Sequence, residues 1–202
     1  MIRRPPRSTL DRSSAASDVY KRQYEDQRLT DFHCALILDL VGHDVPVSGL
    51  EDLLFVMGME TDYGLGEVIK DCSAGPYIRV LPTLSRYVGD MSDHHVFRVN
   101  EVPYLFLSCG TWEHYHRPTD TPENLNYGKI EAISSYLSVI ASAIAMKQLA
   151  GPFEGYDSTD IELDYIRSVI SPVMAQMGSP IGIKDRRDID LLANRIMAYL
   201  GG

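Results

Sequence analysis

Long apolar runs are missing from this 202-residue chain. Nothing approaches the roughly 18–20 uninterrupted apolar residues of a membrane helix, so no membrane span is expected. Cysteine is scarce. Cys34, Cys72 and Cys109 are odd in number and form no C-x-x-C pair, which argues against both a disulfide scaffold and a zinc knuckle. Positive charge is short too, with 19 basic against 28 acidic side chains and a net charge of −9. A phosphate backbone needs a basic face, so no nucleic-acid partner is expected. What remains, 45% hydrophobic and 23% charged, is ordinary globular composition rather than a disordered or fibrous one.

The first 23 residues stand apart. Met1–Gln23 carries six basic and two acidic groups, whereas the remaining 179 residues have a net charge of −13. The segment is rich in Arg, Ser and Pro and lacks the apolar core of a secretory signal. Its Arg and Ser content also fits a transit peptide, but the string resembles translated sequencing-adapter read-through. It is expected to be disordered and non-native, with the domain proper spanning residues 24–202.

From residue 33 onward, short apolar runs alternate with helical patterns. His33–Val41 (HCALILDLV) reads as a strand buried on both faces. Ser48-Gly-Leu-Glu51 reads as a capping box opening a helix with Leu50, Leu53, Leu54 and Met57 on one face, ended by Gly58. A helix is expected over Leu65–Cys72, a strand over Tyr77–Leu81 stopped by Pro82, and a second buried strand over Val102–Ser108. Thr121-Pro122-Glu123 offers a helix start, Ile130, Ile133, Leu137, Ile140 and Ile144 recur at spacings of three and four, and Gly151-Pro152 ends the pattern. Thr159-Asp-Ile-Glu162 opens another helix, which Pro172 should kink or end, and Asp188–Leu200 closes the chain. Strands alternating with helices specify an α/β sandwich.

Three places carry candidate chemistry. Asp39 is a carboxylate inside the apolar run LILDLVG; a charge there needs a metal, a cation, hydrogen-bond donors or a structural salt bridge. Ser92-Asp93-His94-His95 sets a carboxylate beside imidazoles, although for the motif alone the plainer reading is that Ser92 or Asp93 caps a short helix and both histidines are solvated. The loop Trp112–Thr121 follows a buried strand and holds His114, His116 and Asp120; imidazole is the commonest metal ligand, and Asp120 could orient it. Pro118 and the lack of a third His or a Cys argue against a local three-ligand zinc site there.

Taken together, Leu38-Asp-Leu-Val-Gly42, Ser92-Asp-His94 with Phe97, Pro103–Leu107, and Tyr115-His116 with Pro118, Asp120 and Thr121 resemble, in order and wording, the di-zinc aminopeptidases of metallopeptidase family 28. That family includes leucyl aminopeptidases, glutamate carboxypeptidases and glutaminyl cyclases. The resemblance runs from Phe32 to Leu149 and implies a mixed, mainly parallel sheet sandwiched by helices, of the zinc-exopeptidase type. It implies peptide substrates and two zinc ions per complete site, with Asp39 a terminal ligand of one and His116 of the other. Two zinc ions about 3.5–4 Å apart share and activate a water. Ser92, Asp93, His94, Tyr115 and Asp120 would then support the ligands or touch substrate. Arg117 stands where the family often has threonine.

The family pattern also calls for an upstream His-x-Asp and a Glu-Glu pair that includes the general base, and Tyr24–Leu38 contains neither. The expectation is therefore a C-terminal portion of a peptidase domain, with its N-terminal half and general base missing, and inactive alone. A non-catalytic scaffold that kept the fold, or a glutaminyl cyclase-like acyltransferase, are the alternatives. The compartment stays open. The resemblance suggests export or a periplasmic site, and any signal peptide would lie upstream of residue 24.

Overall fold

A computed structural model describes residues 29–151 and 156–201. The segment Met1–Gln23 lies outside the described residues, as does Pro152. Among the described residues four strands form one sheet: β1 (Ala35–Leu38), β2 (Leu53–Met57), β3 (Arg79–Thr83) and β4 (Tyr104–Ser108), in the order β1-β4-β2-β3. β1 pairs with β4 and β2 with β3 in parallel, while β2 and β4 run antiparallel. The sheet is thus mixed and mainly parallel. The two central strands, LLFVM and YLFLS, are buried at every position, as covered strands with near-continuous apolar sequences must be.

Helices α1 (Tyr63–Asp71), α2 (His94–Val99), α3 (Tyr127–Met146), α4 (Thr159–Tyr165), α5 (Ser171–Gln176) and α6 (Arg186–Gly201) complete the fold. α2 packs on β4 and β1, α1 on α3, and α4 on β3. A π-turn, Ile166–Ile170, joins α4 to α5 just before Pro172. This is the interruption that a proline without an N–H imposes on a helix.

The helix expected from Ser48 does not form. Residues 45–50 make tight turns, and Leu53–Met57 is the central strand β2. Five consecutive apolar residues match a helical face and a doubly buried strand equally well, and pairing with both β3 and β4 decides for the strand. Gly58 does end the element, at φ 100°, with Tyr104 O occupying the space a side chain would need. Pro82 lies inside β3 rather than beyond it. β3 is an edge strand among the described residues, where a proline need not donate to a neighbour. At Pro122 only a short 3₁₀ turn forms, and α3 begins at Tyr127 with Asn126 accepting the Lys129 N–H.

Among the described residues α3 is long and apolar enough to cross a membrane, by length and composition alone. It carries Lys129, Glu131 and four serines, and it turns Ile133, Tyr136, Ile140 and Ile144 into the core. Lys129 is itself buried and donates to the carbonyls of His43 and Glu51, tying α3 to the loop after β1.

Candidate functional site

The site is assembled where β1 and β4 end together. Asp39 follows β1 directly, and its N–H donates to Leu107 O of β4. The chain then turns through Leu40 at φ 56°, whose carbonyl accepts the Cys109 N–H. A non-glycine residue in the left-handed region is uncommon and persists only where surrounding contacts impose it. Here the ladder on both sides holds Leu40, and Asp39 is left half-buried at the sheet's end.

Ser92 comes from the loop before α2 and donates its hydroxyl to Asp39 Oδ2 at 2.8 Å. That loop is clamped by Asp90, which takes Arg98 Nε at 2.8 Å and Nη2 at 2.9 Å. The Arg98 guanidinium holds the Asp90 carboxyl below its ordinary range. Asp93 is exposed and makes no cap bond.

His94 points elsewhere. It is fully buried, donates Nε2–H to Gly89 O at 2.8 Å and stacks on Phe106, with centroids 4.7 Å apart. Its Nδ1 has no hydrogen-bond partner among the described residues, and burial pushes its pKa down. Among the described residues it lies against Phe106, which lines the cavity described below, and does not itself border that cavity.

The loop after β4 carries His116, also left-handed at φ 57°. Its ring stacks on Tyr115 at 3.8 Å, and both side chains are exposed. Burial first, and then the Asp39 charge, raise the Tyr115 pKa, which places Tyr115 within the electrostatic reach of the carboxylate. Asp120 is exposed in the turn that follows. The imidazole with a side-chain hydrogen bond in this loop is His114, to Thr119 Oγ1 at 2.9 Å.

His43 and Trp112 hold the base of the loop, a role that no sequence motif announces. His43 is buried, stacks on Trp112 at 4.7 Å, and sets its two ring nitrogens 2.8 Å from the carbonyl oxygens of Gly110 and Asp44. The only signal was a histidine and a tryptophan flanking two strand ends.

A cavity of about 180 Å³ opens beside these residues, with Asp39, Ser92 and Tyr115 at its polar rim and mostly apolar walls. The oxygen donor of Asp39 and the nitrogen donors of His116 are of the type zinc accepts. No group of three or more His, Cys, Asp or Glu comes together among the described residues, so these two donors do not by themselves close a four-coordinate shell.

The sequence model of peptidase family M28 matches residues 14–141, a span that takes in Asp39, Ser92, Tyr115 and His116 and begins inside the segment set apart above. A search of the curated proteins finds no match. Among solved structures, the crystal structure of the Legionella pneumophila LapA aminopeptidase aligns with a TM-score of 0.48 and 18% identity, over 65% of this chain. The chain spans 36% of the length of that structure.

Proposed function

This chain belongs to peptidase family M28, and from that membership we propose that it carries part of the catalytic centre of a zinc-dependent exopeptidase of aminopeptidase type. Asp39 is a terminal ligand of one zinc ion and His116 of a second, with the remaining ligands and the general base outside the described residues. The supporting observation is the Ser92–Asp39 hydrogen bond at the rim of an apolar cavity. A carboxylate held there by a single hydroxyl is poised for a cation.

When bound, a zinc pair lowers the pKa of a shared water and polarises a carbonyl. The chain's own residues prepare the surroundings. Ser92 fixes the rotamer of Asp39. Tyr115, its pKa raised, keeps its proton and can donate to a substrate oxygen at the rim. The cavity takes a substrate side chain and excludes water from it. On this reading the described residues hold zinc and substrate, and the carboxylate that activates the water is not among them.

The test is His116→Ala and Asp39→Asn in a peptidase that joins this sequence to the remaining ligands. Hydrolysis of an aminoacyl p-nitroanilide should fall by orders of magnitude for both variants. Unchanged turnover would remove the ligand assignment.

A further inference from the structure

α6 lies outside the residues 14–141 that match the family, yet it borders the cavity beside Asp39. Ile189, Leu192, Ala193, Ile196 and Met197 all face that cavity. Their spacings of three, four, seven and eight form one apolar stripe of a helix.

Two polar ties fix the rotation of this stripe. Arg186, in the first turn of α6, pairs with Glu162 of α4. Glu162 is 0% exposed and also accepts the Ser158 hydroxyl at 3.0 Å. One turn later, Asp190 accepts from both the Tyr87 hydroxyl and Arg86. Tyr87 and Glu162 themselves border the cavity. The helix is therefore held across the opening from both α4 and the turn after β3, and Ile189, between the two ties, is buried.

Resting on the reading of the site given above, we infer that α6 is the specificity-determining wall. Leu192, Ala193 and Ile196 set the size of the substrate side chain accepted, admitting apolar groups of leucine to phenylalanine size. Volume and polarity carry this inference. A cavity of about 150 Å³ with aliphatic and aromatic walls admits a benzene-sized group, and this one measures about 180 Å³. A charged side chain would be stripped of water against Leu192 and Ile196 with both lining carboxylates taken, Glu162 by Arg186 and Asp39, on the reading above, by zinc.

The experiment is a methyl NMR titration of the full chain, with zinc present, using L-phenylalaninamide, L-leucinamide, glycinamide and L-lysinamide as probes. The first two should shift the Leu192 and Ile196 methyl signals, and the last two should leave them unmoved. Ala193→Phe fills the cavity and should weaken phenylalaninamide binding by roughly tenfold or more, the scale on which a pocket resolves side-chain size. Leu192→Ala enlarges it and should admit L-tryptophanamide, which keeps the inference testable if Ala193→Phe misfolds. Shifts confined to other methyls, or equal binding by wild type and a folded Ala193→Phe, overturn the inference. Asp39→Asn separates the two claims. Zinc held through Asp39 with a silent α6 overturns the wall alone, whereas α6 shifts with zinc indifferent to Asp39 overturn the ligand reading alone.

Discussion

The Ser92 hydroxyl donates to Asp39 Oδ2 at 2.8 Å across 53 residues of sequence, joining the loop before α2 to the end of β1. Outer partners that orient a ligand are worth about 10–100-fold in metal affinity or activity. Ser92→Ala should weaken zinc affinity by that order, and Ser92→Thr, which keeps the hydroxyl, should restore most of it. Calorimetric titration with zinc at fixed pH checks both.

His94 gives the fold a pH dependence. Buried between Gly89 O and Phe106 with Nδ1 unpartnered, it has a folded-state pKa lowered from 6.5 by desolvation. The unfolded state therefore binds the proton more readily. The neutral ring's contribution is fully present above about pH 6.5 and is lost as pH falls through the lower, folded-state value. His94→Gln keeps a donor for Gly89 O and removes the titration, so its melting temperature should fall less than that of wild type between pH 7.5 and 5. Parallel declines would contradict this.

Gly58 ends β2 in a conformation side chains avoid, and an added Cβ would sit 2.4 Å from Tyr104 O. Gly58→Ala should cost about 1–3 kcal/mol or more. Gly75, also at positive φ but with open space around it, is the control. Gly75→Ala carries the conformational strain alone, about 1–2 kcal/mol. Denaturant midpoints should rank wild type, Gly75→Ala and Gly58→Ala in falling order.

The Glu162–Arg186 pair predicts an asymmetry in stability. Arg186→Met leaves a fully buried carboxylate without its cation, a loss of about 3–5 kcal/mol. Replacing both residues with methionine removes the stranded charge and should recover a large part of it. A double variant no more stable than Arg186→Met would show that the pair does not act through charge.

The sequence made the sheet's limits and the site legible to different degrees. β1 and β4 were readable because their apolar runs end in residues that turn the chain, Asp39-Leu40 and Cys109-Gly110. β2 was misread because Leu53–Met57 has no polar residue to break the tie between a helical and a strand period. Asp39 and Ser92 were each visible, and their contact depends on pairing across the sheet that no local pattern encodes. His94 was read by its neighbours in the motif, whereas Phe106, far along the chain, accounts for its burial. α6 was visible as a closing helix over Asp188–Leu200, but its place at the cavity follows from the ties to Glu162, Arg86 and Tyr87, which are tertiary.

The central claim is that Asp39 and His116 bind zinc. The most direct measurement is a zinc titration of the chain followed by NMR at the His116 ring Cε1–H and the amides of Asp39, Leu40 and Ser92. Both sets of signals should shift, with Asp39→Asn abolishing the response at the strand end and His116→Ala the response in the loop. Zinc taken up at His95 or His114, with His116 and Asp39 unmoved, would contradict the account.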